Sequence, residues 1–305
     1  MTSLHTLIIT TSNDELDRCD NKTSIWLEAL ATAYFILKDG GESVTIASTN
    51  GGAIPFHTDN RLPAAVTKNT MRCQQDAQAS YYFSHSLPLS EINAENYDLV
   101  FIADGYGAMF DFANNKKLNR TLEDFYYQNK PIGLVGHGVV TLLSLKAIDG
   151  APLIKGKRLT GFSNNEEELN RLDNKLPFLL ESRLTSLGAL YSKGPSFKGY
   201  VVVDGNIITG QNSASSIETA TQLLSLARKK KSSPCEKNKE LISNENDRGK
   251  KILKKAKEMN ADLVLMETNS QNGKRKEIME TVAETVLLNT SVPLIFVPVK
   301  SIEEK

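Results

Sequence analysis

The chain has 305 residues, 40% of them hydrophobic and 24% charged, with 36 basic and 36 acidic side chains. Three cysteines (Cys19, Cys73, Cys235) in a chain of this length exclude a disulfide framework and suit a reducing compartment. No basic stretch precedes the first apolar run, and no apolar run approaches the ~20 residues of a membrane span, so a cytoplasmic protein without a membrane role is expected.

The neutral total hides a division. Residues 1–227 carry 19 Lys and Arg against 24 Asp and Glu, a net of −5; residues 228–305 carry 17 against 12, a net of +5. Such a shift marks a boundary between units.

In chain order, Leu4 to Thr11 is apolar and β-branched and reads as a first strand. Ile25, Trp26, Ala29, Leu30, Ala33, Tyr34 and Leu37 recur at helical spacing up to the glycine stop Asp39-Gly40-Gly41. Val44 to Ala47 is a second strand, followed by a glycine-bearing loop over Ser48 to Pro55. Residues 57–97 are mixed in polarity and read as a helix and loops over one edge. Asp98 to Ala103 is a buried strand ending in Asp104-Gly105-Tyr106-Gly107, and Asn115 to Gln128 is an amphipathic helix.

Pro131-Ile132-Gly133-Leu134-Val135 is a further buried strand, cut off by Gly136-His137-Gly138 and followed by a helix from about Val139 to Lys146. A strand, a tight turn and a helix in immediate succession form the elbow that holds a nucleophile in many α/β hydrolytic enzymes. Here the turn lacks a nucleophile. Val201 to Thr209 is a hairpin through Asp204-Gly205, and Ser213 to Arg228 a closing helix.

Alternating strands and helices predict an α/β fold, a doubly wound, mostly parallel sheet in a flavodoxin-like sandwich. Ligands sit beyond the carboxyl ends of such strands. The loops Asn50-Gly51-Gly52, Gly105-Tyr106-Gly107 and Gly136-His137-Gly138 are therefore expected to converge on one pocket, though each also reads as an ordinary turn.

Residues 1–228 resemble the ThiJ/PfpI superfamily, which has a class I glutamine amidotransferase-like fold, in its heat-shock chaperone and glyoxalase III-like branch. The resemblance rests on Trp26-Leu27-Glu28-Ala29-Leu30-Ala31-Thr32-Ala33, on Ile46-Ala47-Ser48 through Gly51-Gly52, and on Asn93 to Asp98. Gly105 to Asp111, Thr160 to Asn164 and Ile208 to Asn212 complete it. The resemblance implies a cysteine at the elbow, a glutamate from the first helix sharing the thiol's proton, and backbone amides for an oxyanion. Thiolate nucleophiles need such local control of the proton.

This sequence departs from that pattern where the chemistry lies. The elbow position is Gly136, and the position of the glutamate is Ala29, with Glu28 displaced by about 100° of helical rotation. Asp104 and Tyr106 stand where the family commonly has Gly and His. Glycine relieves a left-handed strain on the order of 1–3 kcal/mol, so the elbow geometry is expected to survive.

The expectation is that no catalytic set is intact and that Ala29, Gly105, Tyr106, Gly136 and His137 form a vestigial pocket. Such a pocket would take a small carbonyl or anionic ligand. His137 as a catalytic base, and Cys73 or Cys19 as a substitute nucleophile, are weighed as alternatives. His5, His57, His85 and His137 lack metal-ligand spacing, so neither metal nor cofactor is expected.

Beyond Arg228 the sequence reads as a linker over 229–247 and a small α/β unit over 248–300. Ile252, Leu253, Ala256 and Met259 stripe a basic helix, Ala261 to Met266 is a strand, Glu277 to Asn289 a helix and Val292 to Val299 a last strand. These residues resemble the second half of a universal stress protein domain. At positions where nucleotide-binding members approach phosphates stand Glu267, Ser270 and Glu280, with only Thr281 fitting, so no ATP site is expected. Lys250, Lys251, Lys254, Lys255 and Lys257 lack interleaved aromatics and read as a solvated face, not a nucleic-acid surface. A two-strand unit is marginal alone, so docking on the core or self-association through it is expected.

Two functions follow. One is a catalytically degenerate protein with a chaperone-like, ligand-sensing or assembly role in stress physiology. The other is an enzyme of the glyoxalase III, deglycase or amidase type working through a non-standard site.

Overall fold

The computed structural model describes residues 3–15, 25–56, 67–147 and 149–232, together with the strands Val264–Thr268 and Leu294–Pro298. The chain divides into two compact units, Met1–Ser232 and Ser233–Lys305.

The first unit begins with β1 (His5–Thr10), α1 (Leu27–Asp39) and β2 (Ser43–Ser48). Helix α1 stops where expected: the Gly40 amide closes onto the Ile36 carbonyl, and Gly41 turns left-handed. Two short helices follow, α2 (Lys68–Gln75) and α3 (Ala77–Ser84), then an edge strand β3 (Leu87–Pro88). The expected single helix over this edge is thus two helices and a strand. Asp76 separates the helices, ending α2 and capping α3 by accepting the Ala79 amide at 2.9 Å.

Next come β4 (Leu99–Ile102), a single turn α4 (Ala108–Asp111), α5 (Lys116–Tyr127) and β5 (Ile132–Val135). The segment after β5 is a 3-10 helix over Gly136–Ser144, not the α-helix expected from 139. Its chain turns extended at Leu145, one residue before the expected end at Lys146. The remainder is β6 (Arg158–Leu159), α6 (Asn164–Asn170), α7 (Leu180–Ser186), β7 (Leu190–Tyr191), β8 (Val201–Asp204), β9 (Ile207–Gly210) and α8 (Ser216–Ser232). A 3-10 turn over Ser213–Ser215 leads into α8, which runs past Arg228.

The main sheet has the order β3-β2-β1-β4-β5-β9-β8, parallel throughout except for the β8–β9 hairpin. This is the doubly wound, flavodoxin-like arrangement the sequence predicts. Strand side chains alternate between two cores. Leu7, Ile9, Val100, Ile102 and Leu134 face the side carrying α5 and the 3-10 helix. Ile8, Leu99, Phe101, Val135 and Ile208 face α1 and α8. Both faces are dry, which explains the continuous apolar runs. Truncating a side chain such as Phe101 to alanine costs about 3–5 kcal/mol in such a core.

In the second unit β10 (Val264–Thr268) and β11 (Leu294–Pro298) pair in parallel, with Val264 opposite Leu294. The helices expected over 252–259 and 277–289 lie outside the described residues, as do Ser270, Glu280, Thr281 and the lysine run from 250 to 257.

Candidate functional site: a filled elbow

The elbow survives in outline. β5 pairs with β4 and β9, placing Val135 opposite Gly210, and Gly136 then turns left-handed at φ +55°. Only glycine takes that conformation cheaply. The space its side chain would use is occupied. A Cβ built on Gly136 would overlap the carboxylate of Asp104, which enters from the neighbouring loop after β4. Asp104 is 1% exposed.

Three donors hold that carboxylate. The main-chain N–H of His137 donates to Oδ1 at 2.9 Å, and Nδ1 of the same residue lies 3.2 Å from the same oxygen. The Ser213 hydroxyl donates to Oδ2 at 2.7 Å. The amide of the residue after an elbow is one that would stabilise an oxyanion in a hydrolytic site. Here it is already taken by the Asp104 side chain.

His137 is fully buried and is engaged at both ends of its ring. Nε2 lies 2.7 Å from Oε1 of Glu167, which is itself fully buried. With a carboxyl group at each nitrogen, both nitrogens act as donors, so the ring carries a proton on each. Burial opposes that charge, but the hydrogen bonds and charges of Asp104 and Glu167 outweigh it and hold the imidazole at a pKa of about 9. Tyr106 and Phe162 flank the ring at 4.2 and 4.3 Å between centroids. The Tyr106 hydroxyl donates to Oε2 of Glu167 at 3.2 Å and accepts from the Asn170 amide at 2.9 Å. Burial and the Glu167 charge raise the phenol's pKa far above its ordinary value.

Glu167 reaches the cluster because of its neighbour. Ser163 and Glu166 form a capping box that starts α6, so Glu166 and Glu167 face inward while the exposed Asn170 reaches Tyr106 from the rim. Glu166 is fully buried, and its two oxygens accept five hydrogen bonds at 2.7–3.0 Å. The donors are the Ser163 amide and hydroxyl, the Phe197 amide, Gln211 and Asn212. One carboxylate therefore ties together the loops before α6, before β8 and after β9. It also holds Phe197 in a left-handed backbone at φ +59°, unusual for an aromatic residue.

Of the residues expected to form a pocket, Gly105, Tyr106, Gly136 and His137 meet around Asp104. Ala29 is buried on α1 and brings no polar atom. Glu28 is engaged elsewhere: it accepts the Thr32 hydroxyl at 2.8 Å and the hydroxyl of Thr67, which caps α2. The loop at Gly51-Gly52 folds against the sheet edge instead, exchanging main-chain hydrogen bonds between Gly52 and Ser86 at 2.8 and 2.9 Å. Asp111, at the end of α4, joins the β1 and β2 loops by accepting from Thr11, Ser12 and Thr49.

Cys73 lies in α2 against the α1 side of the sheet, and burial with the nearby Asp76 charge pushes its thiol up to about 11. That is the opposite of an activated nucleophile. His85 stacks on Tyr81 at 4.6 Å, and His5 opens β1. Cys19, Cys235 and His57 lie outside the described residues. Among the described residues no group of three potential ligands is placed to hold a metal ion, and no helix is long and apolar enough to cross a membrane.

Asp104 was visible in the sequence only as a departure from a motif, and Glu166 and Glu167 were missed. The signal for the latter pair was Ser163-Asn164-Asn165-Glu166, a capping-box spacing followed by one more acid.

Comparison with known proteins places this geometry. The crystal structure of the Francisella tularensis Rapid Encystment Protein 24 KDa (REP24) superposes with a TM-score of 0.69 at 33% identity, covering 73% of this chain and 99% of that one. The human glutamine amidotransferase-like class 1 domain-containing protein 1 is 29% identical over 197 residues, 65% of this chain and 86% of its own. The Saccharomyces cerevisiae glutathione-independent glyoxalase HSP31 is 32% identical over 139 residues, 43% of this chain and 58% of its own. The universal stress protein family model matches residues 200–298, and the DJ-1/PfpI family model matches residues 27–226. The chain thus belongs to the DJ-1/PfpI family, with a universal stress protein-like segment at its C-terminal end.

Proposed function

We propose that this chain is a catalytically degenerate member of its family, with a stress-related role exercised by binding or assembly rather than by turnover. The observation that carries this reading is the Asp104 carboxylate in the space a nucleophile at residue 136 would need. Two further features support it. The elbow amide is already hydrogen-bonded to that carboxylate, and His137, with a carboxyl at each nitrogen, has no lone pair with which to accept a substrate proton.

The rival reading, a glyoxalase III, deglycase or amidase acting through a non-standard site, draws its support from relatives such as the yeast glyoxalase. Methylglyoxal consumption by the full chain separates the two. The proposed reading expects no turnover above a heat-treated control. Turnover that disappears with His137→Gln or with a cysteine substitution would favour the enzyme.

Assembly is part of the proposal, within an organisation of a family domain over 1–228, a linker over 229–247 and the stress-protein-like unit over 248–300. Among the described residues β10 and β11 pair only with each other, and a two-stranded sheet is marginal alone. Self-association through this unit in the cytoplasm is the expected outcome. Light scattering should give a larger species for the full chain than for a chain ending at Ser232.

A further inference from the structure

The seat of Asp104 has the features of a receptor. It grips two coplanar oxygens from different directions: Oδ1 from the His137 main-chain N–H and Nδ1, Oδ2 from the Ser213 hydroxyl. These donors come from the elbow and from the turn before α8, so the seat is built by the scaffold and not by the loop that carries Asp104. Apart from Asp104 and its loop neighbour Tyr106, His137 is held by Glu167 on its far nitrogen and by the ring of Phe162. Ser213 is half-buried, giving the seat one side toward solvent.

We propose that this cradle is a receptor for a small monocarboxylate, kept shut by the chain's own Asp104 acting as a tethered ligand. The inference rests on the filled-elbow reading above. Size and charge select the class. The space is that of one planar carboxylate, and the nearby Glu167 disfavours a second negative charge, so a planar monoanion suits the seat better than a tetrahedral phosphate dianion. The side-chain arithmetic names the probes. Removing the aspartate side chain by Asp104→Gly deletes the atoms of one acetate, and Asp104→Ala deletes those of one formate.

The test is thermal unfolding of the full chain near neutral pH, with acetate or formate exchanged against chloride at constant ionic strength. Asp104→Gly should gain about 3–6 °C in Tm at a tenfold excess of acetate over its Kd. Asp104→Ala should respond better to formate than to acetate. The unsubstituted chain and Asp104→Asn, whose seats remain filled, should show no carboxylate-specific shift.

An equal response to chloride in folded Asp104→Gly and Asp104→Ala would overturn the proposal, as would an equal acetate response in the unsubstituted chain. Should neither variant fold unaided, refolding yield replaces Tm. Recovery in carboxylate but not in chloride supports the receptor, and recovery in both or in neither contradicts it. Methylglyoxal turnover by the unsubstituted chain would defeat the proposed function whichever way this experiment falls, so the two failures are distinguishable.

Discussion

Nε2 of His137 lies 2.7 Å from Oε1 of Glu167, and both side chains are fully withdrawn from water. A buried pair of this kind is held by geometry, since desolvation offsets much of the Coulomb attraction. Its consequence is pH-dependent stability. The folded-state pKa of His137 is raised from 6.5 to about 9. Its contribution is therefore fully present below pH 6.5 and is lost as pH rises through 9. Urea unfolding from pH 6 to 10 should show about 3 kcal/mol of stability disappearing across that window. His137→Gln should flatten the curve there, and a parallel decline in that variant would assign the effect to other groups.

Glu166 is expected to matter as a fastener of loops. Glu166→Gln keeps the size but turns an amide N–H₂ toward donors, so it should cost about 2–4 kcal/mol. Hydrogen exchange should localise the damage to residues 193–200 and 211–215, where its partners Phe197, Gln211 and Asn212 sit. Uniform loss of protection across the main sheet would show that Glu166 serves global stability alone.

Cys73 should behave as core. Its thiol is buried and pushed up to about 11, so in a Cys19→Ser/Cys235→Ser background it should resist iodoacetamide at neutral pH until the chain is unfolded. Cys73→Ala in the same background should leave any methylglyoxal consumption unchanged. Rapid alkylation of the folded protein would return Cys73 to consideration as a nucleophile.

The sheet was legible because its signals are local and redundant. The runs Leu4–Thr11, Asp98–Ala103 and Pro131–Val135 are each apolar enough to be buried on both faces; polar Ser12-Asn13-Asp14 ends the first, and Gly105 and Gly136 close the other two. The edge was less legible. α2 and α3 are eight residues each, too short to display a period, and β3 is two residues paired to Ala47 and Ser48. The elbow segment misled for a different reason: its apolar residues suit an α-helix, but the chain departs at Leu145 and leaves a 3-10 run. Within the site, the absence of a nucleophile at Gly136 and the presence of Tyr106 and His137 were readable. That Asp104 would turn into the vacancy was not, since it depends on Ser213 and Glu167 arriving from 109 and 63 residues further along the chain.

That relationship is also the most direct point of attack. A double-mutant cycle on Gly136→Ala and Asp104→Gly, read by urea unfolding of the full chain, measures whether one side chain fills the space of the other. Gly136→Ala alone should cost about 2–5 kcal/mol, combining left-handed backbone strain with overlap on Asp104. In the Asp104→Gly background only the strain of about 1–2 kcal/mol should remain, leaving a coupling of at least about 1 kcal/mol. Additive costs would mean that the two residues do not share the space, and the filled elbow would be contradicted.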